Sequence, residues 1–272
     1  MNTPHLSSSS SSGTLKADEV AHYYQHGYVI VPGLVDPATV EATRRAIDDF
    51  IFQHPDKVLY EPDVLARQDP LALPPEERLL AVRGIHHLVA RHQVPHFRQL
   101  ARYAPLVDAL VSLLGGDIKL LQDMCLIKPP RVGSEKPPHQ DAAYFEFEPF
   151  DQVVGTWWAL EEATLENGCM CVWPGTHRLP VVSHTHREGT PHLIIDAEVI
   201  DMEARLPLPM RPGDVLFFAS RLFHFTPSNR SCHRRRAVQM HYASSLCVPL
   251  PGKTPALNAR PLIRGREYPG SI

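Results

Sequence analysis

Residues 211–248, RPGDVLFFASRLFHFTPSNRSCHRRRAVQMHYASSLCV, decide the fold. Two runs rich in β-branched and aromatic residues, 215–226 and 235–248, are set off by Pro, Gly, Asn and Ser, which predicts strands joined by turns. Alternation along the second run puts Arg235, Ala237, Gln239 and His241 on one face, and Arg236, Val238, Met240 and Tyr242 on the other. One of the two arginines therefore points inward, where a guanidinium needs an anion, unless both belong to a basic surface patch. His224 closes an aromatic strand just before the turn TPSN. It is either a hydrogen-bonded core histidine or a side chain presented to a cavity.

The same short, turn-bounded runs recur at IKLLQDMCLIKPP (118–130), QVVGTWWALEEA (152–163) and GCMCVWPGTH (168–177). Cys169 and Cys171, two apart on a strand, share a face that belongs in a core. Gly168 is expected to supply a positive φ in the polar turn that carries Glu161, Glu162 and Glu166. Upstream the periodicity is helical. Residues 17–26 read as a short helix, broken at Gly27 before a strand at 28–31. Asp36 caps a second helix with Pro37 at its first position, and Val40, Ile47, Phe50 and Ile51 form its apolar stripe. Residues 54–80 read as loop with one helical turn. Residues 96–116 read as a helix broken near Pro105 and closed by Gly115 and Gly116. Helices first and many antiparallel strands afterwards predict a mainly β fold with flanking helices, a sandwich or barrel.

The expected division is a disordered Ser-rich tail over 1–16 and a single domain over 17–272. That domain comprises a helical layer (17–116), a β core (117–250) and a C-terminal extension (251–272), with 183–206 as a long insertion between strands. A formal charge of -3 gives no electrostatic reason to expect nucleic acid, and no apolar run is long enough for a membrane span. The first residues show neither a basic nor an apolar signal-peptide region. Five cysteines without a disulfide-scaffold spacing predict a reducing, cytoplasmic setting.

The stretch PPHQDAAYF (137–145) holds His139 and Asp141. With 16 His and 15 Asp in 272 residues, chance supplies about one His-x-Asp. His54–Asp56 is a second example, and His186–Glu188 a related pair. As alternate strand residues, His139 and Asp141 present an imidazole and a carboxylate to one ion, and His224 is the natural third ligand. Two His and one carboxylate leave three positions open on a metal, an arrangement suited to Fe(II). His54 sits in a helix-terminus loop and reads as the chance match, and His186 and Glu188 read as solvated or substrate-facing. Tyr144 and Phe145 read as a pocket wall.

Taken together, PHQD, LENGC, PGTHR and GDVLFF…H…NRS…RRA, with HGYVIVPGLVDPATV near the start, resemble the phytanoyl-CoA dioxygenase family of Fe(II)/2-oxoglutarate oxygenases, in order over most of residues 20–250. The resemblance implies a double-stranded β-helix (jelly roll) and a dioxygenase that uses Fe(II), 2-oxoglutarate and O2. It implies iron on His139, Asp141 and His224, and 2-oxoglutarate held by Arg235 and Thr226, with Trp157 and Met124 beside it and Arg83 as a further contact. Asp141 argues against the halogenating relatives, in which that carboxylate is missing. The expected reaction is hydroxylation of a small molecule at an aliphatic C–H bond, releasing succinate and CO2, with an acyl-CoA thioester as the alternative substrate. Two other classes stand beside it: a catalytically silent jelly-roll binding protein, and a Zn hydrolase or cupin type of metalloenzyme. The latter would need no buried arginine eleven residues after the distal His.

Overall fold

The computed structural model describes residues 13–186, 192–253 and 260–272. The Ser-rich stretch before residue 13 and Glu188 lie outside them. In chain order come α1 (Ala17–His26), β1 (Tyr28–Val31), α2 (Pro37–Gln53), β2 (Leu59–Tyr60), α3 (Pro62–Leu65), α4 (Pro75–Leu79), β3 (Val82–His86), α5 (Pro95–Leu100) and α6 (Ala104–Leu114). Then follow β4 (Ile118–Lys128), β5 (Lys136–His139), β6 (Phe147–Glu148), β7 (Val153–Ala159), β8 (Met170–Val172), β9 (His184–His186) and β10 (Leu193–Ile195). The last strands are β11 (Leu206–Leu208), β12 (Val215–Ala219), β13 (His224–Thr226), β14 (Arg235–Ser244), β15 (Val248–Pro249) and β16 (Leu262–Arg264).

The large sheet runs β1-β12-β7-β14-β4-β3-β2, with β16 on β4; the small one runs β11-β8-β13-β5. All their pairings are antiparallel. The two sheets make the expected jelly roll, and alternation explains its layers. Trp157 and Ala159 of β7, Leu216 and Phe218 of β12, and Ala237 of β14 meet Met170, Val172 and Phe225 of the small sheet. Their neighbours Trp158, Phe217, Val238, Met240 and Tyr242 face the other way, onto Ile47, Phe50, Ile51 and Leu110 of the helices. These strands are buried on both faces, so they read as continuous apolar runs rather than as alternation.

The caps are those expected. The Asp36 carboxylate accepts from the Thr39 N–H at 2.9 Å, Gly27 ends α1 at φ 85°, and Gly168 sits at φ 90°. Three expectations need correction. The stretch expected as a helical layer also lends β1, β2 and β3 to the large sheet, and β3 lies directly beside β4. Residues 54–80 carry two short helices, α3 and α4, rather than one turn. The insertion expected over 183–206 carries a hairpin of its own, β9 paired with β10, and gives way at Leu206 to β11 of the small sheet. Among the described residues no helix is long and apolar enough to cross a membrane.

Candidate metal centre

β13 lies between β8 and β5, and its register sets His224 opposite His139. β5 ends at His139, and Asp141 opens a single 3-10 turn, Asp141–Tyr144. The expectation that Asp141 is an alternate strand residue is therefore corrected: a turn, not strand alternation, brings its carboxylate to the imidazoles. Gln140, between them, pins that turn. Its side-chain amide donates to the carbonyls of Pro180 (3.1 Å) and Arg221 (2.8 Å) and accepts from the Val182 N–H (2.9 Å).

The ligating atoms of His139, Asp141 and His224 all lie within 4.8 Å of one another, and all three side chains are buried. Nε2 of His139 is 3.4 Å from Asp141 Oδ1, and Nε2 of His224 is 3.6 Å from Oδ2. Each imidazole places Nδ1 on the carbonyl two residues back, Pro137 at 2.8 Å and Leu222 at 2.9 Å. A carbonyl only accepts, so Nδ1 carries the proton and both Nε2 lone pairs face the carboxylate. Burial, with His224 beside it, pushes His139 down to about 3, which keeps the ring neutral and able to ligate. Burial alone would raise Asp141, but His241, His224 and His139 outweigh it and hold the carboxyl well below the usual range. This donor set fits a divalent cation that keeps open positions.

Sequence reasoning missed one member of the group. His241 Nε2 is 2.6 Å from Asp141 Oδ2, and the Gln122 side-chain amide donates to His241 Nδ1 at 3.0 Å. The amide fixes the tautomer, so His241 donates to Asp141. The only trace of this in the sequence is that His241 shares the Arg235 face of β14.

Beside the triad opens a cavity of about 600 Å³. Arg235, Thr226, Met124 and Arg83 all line it. Arg235 is 1% exposed, donates to the Leu126 carbonyl at 3.3 Å, and leaves its Nε without a partner. Burial pushes its guanidinium down to about 10, so it stays charged at neutral pH. Among the described residues no carboxylate pairs with it. The Trp157 ring lies behind it, 5.3 Å from the guanidinium carbon, with its indole N–H also unpartnered. A buried cation that faces a cavity and pairs with no carboxylate among the described residues is the feature a dicarboxylate's far end would complete.

The inward arginine is thus Arg235, but Arg236 is no surface residue either. It is buried under α2, its guanidinium held by Glu161 (2.6 Å) and Asp48 (2.9 Å). Glu161, expected as part of a polar turn, is thus an ion-pair partner. Tyr144 lines the cavity, whereas Phe145 stacks on Phe147 at 5.2 Å, outside it. His54 ends α2 against Phe50 and His186 lies in β9, and among the described residues neither belongs to a cluster that could hold a metal ion.

The phytanoyl-CoA dioxygenase (PhyH) family model matches residues 23–237. The rat protein called phytanoyl-CoA dioxygenase domain-containing protein 1 is 33% identical over 71% of this chain and 67% of its own. The human peroxisomal phytanoyl-CoA dioxygenase is 29% identical over 87% of this chain and 70% of its own. Among solved structures, EctD from S. alaskensis with bound Fe superposes with a TM-score of 0.71 at 20% identity, covering 97% of this chain and 92% of that one.

Proposed function

The chain belongs to the phytanoyl-CoA dioxygenase family and is a 2-oxoglutarate-dependent non-haem iron dioxygenase; from that premise we propose that it hydroxylates a small molecule at an aliphatic C–H bond. In this reading His139, Asp141 and His224 hold Fe(II). Arg235 grips the far carboxylate of 2-oxoglutarate, with the Thr226 hydroxyl beside it and Trp157, Met124 and Arg83 around it. Iron(II), 2-oxoglutarate and O2 together supply a C–H oxidation coupled to release of succinate and CO2.

The chain's own share is geometry and exclusion. The two Nδ1–carbonyl bonds hold the imidazoles in the ligating tautomer, and His241 holds one carboxylate oxygen of Asp141 so that the other is free to ligate. Arg235 and Thr226 fix the direction of the co-substrate. The remaining space, walled by Tyr144 and Leu59, orients one C–H bond and keeps water away from it.

The single observation that carries this reading is the unpaired, buried Arg235 beside a His-Asp-His cluster. A Zn hydrolase has no use for that arginine, and a catalytically silent binding protein has no need of it together with an intact set of metal ligands. The test is anaerobic addition of Fe(II) and 2-oxoglutarate, which is expected to give the weak visible charge-transfer band of the chelate. His139→Ala and Asp141→Ala are expected to lose the band, and His54→Ala to keep it. A band that survives in Asp141→Ala and vanishes in His54→Ala would mean that the wrong pair has been chosen.

A further inference from the structure

At the mouth of the cavity a second cationic group has no anion. Lys136, the first residue of β5, places Nζ 2.8 Å from His192 Nδ1, 3.4 Å from the Tyr144 hydroxyl and 5.2 Å from the centre of the Tyr144 ring. Arg83 of β3 places Nη2 3.2 Å from Nε2 of the same histidine. His192 is thus wedged between two side chains that only donate. A neutral imidazole has one lone pair, so it accepts from one of them and turns an N–H, or nothing, to the other. Neither cation has a carboxylate within ion-pairing distance among the described residues. Burial, with Lys136 and Arg83 beside it, drives His192 down to about 4, so the ring adds no charge of its own at neutral pH.

The charges at the metal balance. Iron(II), Asp141, the two carboxylates of 2-oxoglutarate and Arg235 cancel. The Glu61 charge acts on Lys128, and both side chains converge on Ser134, whose N–H Glu61 accepts at 3.1 Å and whose carbonyl Lys128 engages. Asp123 accepts from the Val89 N–H at 3.1 Å. Glu135 is exposed at the rim. Of these carboxylates only Asp141 acts on the Lys136 ammonium, and in the oxygenase reading Asp141 is a metal ligand. Lys136 sits against the Tyr144 ring, which in turn meets the His139 ring edge-on at 6.0 Å. The ammonium is therefore one side chain away from the metal ligands, the separation that a small substrate spans.

Resting on the oxygenase reading above, we infer that the substrate is a small free carboxylic acid whose carboxylate binds Lys136, displacing His192 from between Lys136 and Arg83. A carboxylate accepts from both cations where the imidazole cannot. About 600 Å³, shared with 2-oxoglutarate, holds such an acid.

The test uses the full chain with Fe(II) and 2-oxoglutarate, without oxygen. Matched probes are titrated: medium-chain and aryl carboxylic acids, their primary amides, and their coenzyme A thioesters. Binding is read from the perturbation of the charge-transfer band and by calorimetry. The acid is expected to bind at least about tenfold tighter than its amide, the difference a charge-assisted pair makes. Lys136→Met is expected to erase that difference, and Lys136→Arg to keep it. His192→Ala, which vacates the seat, is expected to retain or increase it. The inference is overturned if acid and amide bind the native protein alike, if no acid perturbs the band, or if the thioester binds tighter than the acid. It is also overturned if His192→Ala loses the preference as Lys136→Met does, since the lysine would then only latch β10 to the rim. Absence of the band in the native protein would instead sink the oxygenase reading itself.

Discussion

The two faces of the large sheet carry the same residues in opposite circumstances. On the helix face Arg236 is held by Asp48 and Glu161, and the Trp158 indole donates to the Thr156 hydroxyl at 3.0 Å. On the face toward the small sheet, the adjacent Arg235 keeps a bare Nε and the adjacent Trp157 a bare indole N–H. All four are buried. A fold under pressure only to be stable satisfies such groups, because each orphan costs on the order of 1–3 kcal/mol. Here the same strands satisfy one arginine and one tryptophan and leave their neighbours bare, and the bare arginine faces the cavity with the bare indole behind it.

Removing each arginine in turn gives the sharpest way to break this contrast. Arg235→Met is expected to leave the Tm of the cofactor-free protein unchanged or higher, since it deletes an unpaired buried charge. It is expected to weaken 2-oxoglutarate by about a hundredfold or more, the scale for truncating one partner of a buried charge pair. Calorimetry gives the affinity. The rise in Tm that 2-oxoglutarate gives the native protein should disappear with it. If 2-oxoglutarate binds Arg235→Met as tightly as the native chain, the bare arginine has another purpose.

Arg236→Met is expected to do the reverse. It leaves Asp48 with Arg234 alone and Glu161 with Arg44 alone, at about 3 kcal/mol, the low end for a broken buried pair because both carboxylates keep a second arginine and some water. In a chain this size that is roughly a 10 °C fall in Tm, read by calorimetric melting, with the affinity of the surviving folded protein for 2-oxoglutarate unchanged. Equal melting of the two variants would erase the distinction between the faces.

How much of this contrast the sequence disclosed follows from the range of each interaction. Alternation along β14 separates Arg235 from Arg236 without any knowledge of the fold, because it is a property of consecutive residues. It does not say that α2 covers the outer face, since Asp48 is almost two hundred residues away. The jelly-roll strands were legible as apolar runs, but β3 was not. It is five residues long, contains Gly84, and pairs with β4 where a Cβ on Gly84 would lie 2.8 Å from the Cys125 carbonyl. Three-residue β9 and β10, which pair with each other inside the stretch read as an insertion, were no more legible. His-x-Asp was the right pair for a reason that needed amending: strand alternation stops at His139, and the Gln140-pinned turn does the rest.

His241 extends the comparison to a third residue of the inner face, one that is satisfied but by a metal-site residue rather than by the scaffold. His241→Leu leaves Asp141 Oδ2 and the Gln122 amide without their partner. Fe(II) affinity is expected to fall by about 10- to 100-fold, the usual cost of losing an outer partner of a ligating group. Titration with Fe(II) or Mn(II) measures it. His241→Gln, which restores a donor, is expected to recover part of the loss. If leucine and glutamine are equally harmful, His241 fills space and does not orient Asp141.

The smallest expected effect tests the contrast with the least disturbance, on two threonines. Thr156 accepts from Trp158 and donates to the Met240 carbonyl at 3.1 Å, whereas the Thr226 hydroxyl has no hydrogen bond among the described residues and lines the cavity. Valine matches threonine in shape and removes only the hydroxyl. Thr156→Val strands a buried indole N–H and a buried carbonyl, so it is expected to lower stability by about 1–3 kcal/mol without touching 2-oxoglutarate affinity. Thr226→Val strands nothing in the free protein, so its Tm should hold. Its loss is one hydrogen bond to the far carboxylate, about 1 kcal/mol, or roughly fivefold in 2-oxoglutarate affinity. Melting and calorimetry on the two variants should therefore move on opposite axes. A Thr226→Val protein that melts early and binds normally would place that hydroxyl with the scaffold, and would leave Arg235 to hold the co-substrate without it.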